Sequence, residues 1–395
     1  MADRSFTYER RKLKNRRWEL GDRSWEEEKT EQPHKEKTMK NVVRYFAMVA
    51  SLLFVSGIVL AYDTHGVKWP VTSVSYDASS MSSSQRSSVS YAVGKWENSA
   101  DFDWRYNSSS VNDVYFYDID GRGGIYAYVN HWTSGNYITK IRVRFDERES
   151  WYSGSGSVPS SKLDLRSIAV HEFGHAVGVA HTQTSRCKSS VSELRRPTMC
   201  PTYNYGKAYA RTLEDDDEDA IQSLYGDNLT APGSFVTEPG VFTESNEDMT
   251  FEFFYEALSS DERTRRSDAI VQGSVISISE TKWNQDANEY WEDQSEDGTT
   301  LYTAIPFYEV EVAVADILKG SVKESFTLVV LGMSPYNVGK ESLSVGDDVR
   351  VYVRETELTW RGGESRTVLM TVGNPHTSIL LNRGDGTFRE IADSE

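Results

Sequence analysis

His171-Glu172-Phe173-Gly174-His175-Ala176-Val177-Gly178-Val179-Ala180-His181 is the stretch on which the reading of the whole chain turns. On a helix, His171 and His175 stand one turn apart, so both imidazoles leave the same face and can hold one ion. Gly178 can take backbone angles that a Cβ would resist, so the chain can turn sharply there and return His181 as a third ligand. Three neutral imidazoles leave the fourth tetrahedral position open to water, which marks a catalytic rather than a structural zinc site. Glu172 sits beside the first ligand and is expected to act as general base toward that water, whose pKa zinc lowers to about 7. A bare HExxH arises often by chance. The added Gly178 and His181 make this one specific, and three of the chain's seven histidines lie in it.

The 395 residues suffice for two or three domains, and a net charge of −17 argues against a general nucleic-acid binder. Many basic residues fall before position 45, in a mixed-charge tail, residues 1–44, whose composition fits disorder. Residues 45–62 (YFAMVASLLFVSGIVLAY) then run without a charge, close to the lower limit for crossing a bilayer. Lys40 and Arg44 before the run and Asp63 after it place the C-terminal portion outside. Two readings stay open: an uncleaved membrane anchor, or a signal peptide starting at Met39-Lys40 and cleaved near Val59-Leu60-Ala61. In either case the rest of the chain is extracytoplasmic, where the two cysteines, Cys187 and Cys200, are expected to form a disulfide rather than remain free thiols.

Along the chain, residues 65–76 alternate as a first strand, and 81–96 place Val89, Ala92, Val93 and Trp96 at helical spacing. Strands are expected at 113–117, 124–129 and 140–145, the first two separated by the turn Asp120-Gly121-Arg122-Gly123-Gly124. Ser161 and Asp164 read as a capping box opening a helix over 162–177. Residues 213–225 read as an amphipathic helix with acids at its start and Gly226 at its end. This makes an α+β domain over 63–227. A polar linker is expected at 228–266, followed over 267–395 by five β-patterned runs at 269–278, 308–314, 326–331, 349–353 and 367–372, a small all-β barrel or sandwich.

On these residues the region from about 67 to 226 resembles the matrixins, the matrix-metalloprotease branch of the metzincins. Besides the histidine motif, Pro197-Thr198-Met199-Cys200-Pro201-Thr202-Tyr203 matches the family's Met-turn, and Asp216-Asp217 with Ile221-Gln222-Ser223-Leu224-Tyr225-Gly226 match its closing helix. Asn112-Asp113-Val114 and Gly124-Ile125-Tyr126-Ala127 fit its strands. The resemblance implies a metzincin-type zinc protease domain, a twisted mixed sheet with an active-site helix and a closing helix, holding one catalytic Zn2+. It implies Met199 as a hydrophobic floor beneath the zinc, Pro201, Thr202 and Tyr203 as a wall of the S1′ pocket, and Asp216 and Asp217 as braces of the Met-turn. Asp146 and Glu149 match acids that bind Ca2+ in the family, with a solvated acidic turn as the alternative.

The departures carry expectations too. Tyr128 and Arg144 stand where vertebrate matrixins carry histidines for a second, structural zinc, so no such site is expected and His131 is taken as an ordinary surface residue. No cysteine precedes the motif and residues 63–66 leave no room for a prodomain, so latency is expected to come from another protein or from the compartment. The function expected is a zinc endopeptidase acting on proteins or peptides outside the cytoplasm, secreted or anchored through residues 45–62. The competing reading is a cell-surface binding protein or adhesin with a degenerate metzincin domain. Attachment to substrate or surface is one role for 267–395 and packing against the protease the other. Arg383-Gly384-Asp385, which spells an adhesion tripeptide, is expected to be a turn.

Overall fold

Strand β1 (Ser73–Tyr76) pairs in parallel with β2 (Asp103–Tyr106), and helix α1 (Ser83–Glu97) connects them. Helix α1 opens on a capping box, Ser82 with Gln85, and buries Val89, Ala92, Val93 and Trp96, the stripe expected from the spacing. The computed structural model describes residues 62–182, 185–187, 195–226, 248–294, 300–332, 337–338, 341–382 and 384–391, all within one compact unit, Leu60–Glu395. The tail and the apolar run up to residue 61 lie outside the described residues, as does Arg383. Among the described residues no helix is long and apolar enough to cross a membrane.

Three strands follow: β3 (Asp113–Tyr117), β4 (Ile125–Ser134) and β5 (Tyr137–Asp146). β5 lies between the others, parallel to β3 and antiparallel to β4, as one sheet of mixed direction. The short pair β6 (Trp151–Tyr152) and β7 (Leu163–Asp164) holds the chain extended up to Asp164. Helix α2 (Leu165–Ala176) therefore starts later than the capping box suggested: its N-cap is Asp164, which accepts from the Ser167 N–H at 3.1 Å, and not Ser161. Two buried tryptophans fix this helix through its own carbonyls, Trp96 Nε1 donating to Val170 O at 2.7 Å and Trp69 Nε1 to Ala176 O at 2.8 Å. Beyond β8 (Thr202–Tyr203), helix α3 (Asp215–Tyr225) carries acids in its first turn and ends at Gly226, whose φ of 81° suits glycine.

Residues 228–247 of the expected linker lie outside the described residues, and the rest of it is ordered structure. Residues 248–256 form strand β9 (Asp248–Glu256), inserted between β4 and β8 in the order β3-β5-β4-β9-β8, and helix α4 (Ser260–Arg266) follows. The sequence DMTFEFFYE alternates, and the neighbouring polar, proline-containing stretch hides that signal. The expected first strand is also shorter, beginning at Ser73 beyond Pro70, which has no N–H to contribute to a ladder.

The C-terminal portion begins with β10 (Ala269–Ile278), β11 (Lys282–Trp283), and the pair β12 (Glu292–Gln294) and β13 (Thr300–Thr303). Then come β14 (Pro306–Lys319), β15 (Ser325–Leu331), and the pair β16 (Asn337–Val338) and β17 (Glu341–Ser342). It closes with β18 (Asp348–Thr359), β19 (Ser365–Thr371), β20 (Ile379–Asn382) and β21 (Phe388–Glu390). β10 pairs with both β14 and β18, and the pairings β14–β15, β15–β19 and β19–β18 complete a ring of the five strands read from the sequence. The ring is not isolated from the first sheet. One buried cluster joins Tyr115, Tyr117, Tyr128, Phe251, Phe253 and Tyr255 to Ile305, Phe307, Val329, Leu331, Leu358 and Met370.

Candidate active site

Helix α2 presents His171 and His175, and the chain then reverses to bring in His181. The reversal occurs at Gly178, where φ is +98° and a Cβ would lie 2.2 Å from the Val67 carbonyl oxygen, so only glycine fits. The three Nε2 atoms converge, with separations of 3.0 Å between His175 and His171, 3.1 Å between His175 and His181 and 3.2 Å between His171 and His181. Tetrahedral ligands about zinc, at Zn–N of about 2.0–2.1 Å, stand roughly 3.3 Å apart.

The outer nitrogens set the tautomers. His171 Nδ1 lies 2.7 Å from the Thr198 carbonyl and His175 Nδ1 lies 2.9 Å from that of Val179, so each Nδ1–H donates outward and each Nε2 turns a lone pair inward. His181 Nδ1 faces the Glu252 carboxylate at 3.8 Å. Lone pairs pointed at one another at this distance repel unless a cation lies between them, so the donor set fits a metal ion. Burial lowers the His171 pKa to about 3, and burial together with neighbouring imidazoles lowers His175 and His181 well below the usual value. The triad is thus kept neutral, the state in which imidazole binds metal.

Glu172 is fully buried, and among the described residues neither carboxylate oxygen has a hydrogen-bond partner. A buried carboxylate without partners is costly, and burial first, then the Glu252 charge, raises its pKa well above the usual value. A divalent cation on the triad would act in the opposite direction, holding it ionised.

Beneath the helix lies Met199. A Cβ on Gly174 would meet its Sδ at 2.4 Å, so Gly174 is what lets the methionine approach the helix between the first two histidines. Asp217 braces this floor: its carboxylate accepts from the N–H groups of Thr198 at 2.8 Å, Met199 at 3.1 Å and Glu214 at 2.9 Å. Asp216 does not share that task, since it points to Arg186, 2.7 Å away. Cys187 and Cys200 are joined by a disulfide.

Asp146 and Glu149 lie buried beside Asp120 rather than in a solvated turn. Asp146 accepts from the Arg148 N–H at 2.8 Å, and Glu149 from the Gly123 N–H at 2.5 Å and from the Tyr205 hydroxyl. Desolvation raises both pKa values. Tyr128 and Arg144 are cross-strand partners on β4 and β5, with the Arg144 guanidinium 3.4 Å from the centre of the Tyr115 ring and 2.7 Å from Asp113.

His131 is not a surface residue. It is buried, with Nε2 2.7 Å from the His175 carbonyl of helix α2 and its ring centroid 5.5 Å from that of His65. His65 is likewise drawn in, its Nε2 3.4 Å from His175 Nδ1. The sequence offered no local signal for either histidine, since both are placed by contacts from distant segments. Glu252 and Phe254 were missed for a different reason: both lie on the inward-facing positions of β9, whose alternation could have been read. His65, His175 and Glu252 form a second group with converging donor atoms.

The matrixin family model matches residues 67–226, which takes in the histidine motif, the Met199 turn and helix α3. Macrophage metalloelastase of Rattus norvegicus is 36% identical over 125 residues, 32% of this chain and 23% of that protein. Matrix metalloproteinase-25 of Mus musculus is 28% identical over 170 residues, 40% of this chain and 26% of that protein. Karilysin of Tannerella forsythia is 27% identical over 206 residues, 47% of this chain and 39% of that protein. The chain therefore spans between about a quarter and two-fifths of the length of these relatives.

Proposed function

We propose, from the premise that residues 67–226 are a matrixin-type metallopeptidase domain, that this chain is a zinc-dependent endopeptidase acting on proteins or peptides outside the cytoplasm. The observation that carries the proposal is the convergence of three Nε2 lone pairs, with a buried carboxylate that has no partner among the described residues on the position after the first of them.

His171, His175 and His181 would hold the zinc, which when bound supplies Lewis acidity and an acidified water. Glu172, one position after the first ligand, takes the proton from the nucleophile and delivers it to the leaving amine. Thr198 and Val179 carbonyls hold the first two imidazoles in the ligating tautomer, and Asp217 fixes the segment that carries Thr198. A substrate peptide would bind as an extended strand along the edge of β4, with the 201–203 segment on its other side and the His171 and Tyr203 rings lining a pocket for one side chain. The extracytoplasmic setting rests on the apolar run at 45–62, with charges placed to leave the rest of the chain outside, and on the Cys187–Cys200 disulfide.

The test is cleavage-site profiling on a whole-proteome peptide digest with the purified full chain carrying Phe254→Ser, a substitution that removes the ring stacked on His171. Cleavage is expected to stop on chelation and to return on adding zinc. Cleavage that persists in chelator would overturn the assignment.

A further inference from the structure

We propose that strand β9 is a built-in occupant of the substrate cleft, so that the chain holds its own active site closed; this rests on the protease reading of the same site. On that reading a peptide to be cut lies extended across the triad, between the edge of β4 and the 201–203 segment. β9 takes that course, antiparallel to β4 in the register Ala127↔Phe254 and Val129↔Glu252, and parallel to Thr202–Tyr203. Backbone bonds run to both walls: Glu256 N–H to Gly124 O at 2.8 Å on one side, and Tyr255 N–H to Pro201 O at 3.4 Å and Ala257 N–H to Tyr203 O at 3.0 Å on the other. An incoming substrate needs the same edges, and β9 already saturates them.

The two faces of β9 explain why it stays. Inward, the Phe254 ring stacks on the His171 imidazole with centroids 3.8 Å apart and planes at 15°, and it joins the core cluster containing Tyr203 and Met199. Also inward, Glu252 sets its carboxylate 3.6 Å from His65 Nδ1 and 3.8 Å from His181 Nδ1. Outward, Phe251, Phe253 and Tyr255 pack into the cluster shared with the C-terminal ring of strands, which thus clamps β9 from behind. Glu172 has no solvent exposure with β9 in place. Because the strand belongs to the same chain it competes at an effective concentration on the order of millimolar, so a free peptide at micromolar level loses the cleft to it. Latency then resides in the chain itself, at its C-terminal side, instead of in a second protein or the compartment alone.

The test compares the zinc-loaded full chain with its Phe254→Ser variant. One readout is the affinity for a fluorescent apolar peptide carrying a zinc-chelating hydroxamate, and the other is hydrogen exchange of the backbone amides of residues 125–134. Loss of the Phe254 anchor is expected to tighten probe binding by roughly tenfold or more and to speed exchange at the β4 amides that face β9. Val330→Ala, a loss of core packing inside the C-terminal ring and away from the cleft, is expected to change neither, which separates release of the strand from general destabilisation. Equal probe affinity in wild type and Phe254→Ser would overturn the proposal. So would cleavage of wild type between Phe253 and Phe254, since a strand cut in place is a substrate and not a block. If neither chain binds the probe the protease reading fails, and the exchange data still decide on the strand: unchanged protection of residues 125–134 overturns its role.

Discussion

Glu172→Gln is expected to lower kcat/KM for peptide hydrolysis by roughly 10²–10⁴-fold while leaving zinc affinity within a factor of a few. The amide keeps the shape of the carboxylate but has no basic oxygen able to take up and pass on a proton. Zinc affinity should hold because none of the three convergent nitrogens belongs to Glu172 and each keeps its own outward partner. Folding should not suffer either. The carboxylate makes no hydrogen bond to the described residues and its burial is unfavourable in the ionised state, so a neutral amide removes a cost instead of adding one. The check is steady-state hydrolysis alongside a zinc titration, both in the Phe254→Ser chain so that the cleft is open. Activity retained within about threefold would remove Glu172 from the proton-transfer role.

Gly178→Ala is expected to destabilise the chain by about 2–4 kcal/mol and to weaken zinc binding by at least tenfold, although it alters no ligand. Two costs combine. A φ of +98° is one that L side chains resist, and the new Cβ would sit 2.2 Å from the Val67 carbonyl oxygen, a backbone atom that cannot swing aside. Relief requires moving the 178–181 turn, and His181 moves with it. The His65 N–H, which donates to the Gly178 carbonyl at 3.0 Å, would lose its register as well. Thermal unfolding and zinc titration measure the two effects. A variant with unchanged zinc affinity would show that His181 reaches the site independently of this turn.

The site was legible where its chemistry is local. Helical spacing gives His171 and His175 a common face, and a glycine three residues after the second histidine marks the reversal that returns His181. Asp217 was also within reach, though the pattern could not separate it from Asp216, because which of two adjacent acids faces the Met199 turn depends on the rotation of helix α3. The five strands of the C-terminal ring were visible from their alternation. Their attachment was not, since the pairing of β10 with two partners and the aromatic cluster behind β9 are long-range contacts with no local trace. The most consequential omission was residues 248–256. Glutamate and aspartate dilute its apolar count, so it passed as linker, yet Phe251, Phe253 and Tyr255 alternate with Glu252 and Phe254 as a strand buried on both faces must. His65 and His131 are a third case, solitary histidines whose burial depends wholly on what packs over them.

Zinc K-edge X-ray absorption on the zinc-loaded full chain tests the central claim most directly. The account predicts one ion with three imidazole nitrogens at about 2.0–2.1 Å and a single oxygen, with one nitrogen lost in His181→Ala. A shell with fewer than three imidazoles, or one unchanged by His181→Ala, would contradict it.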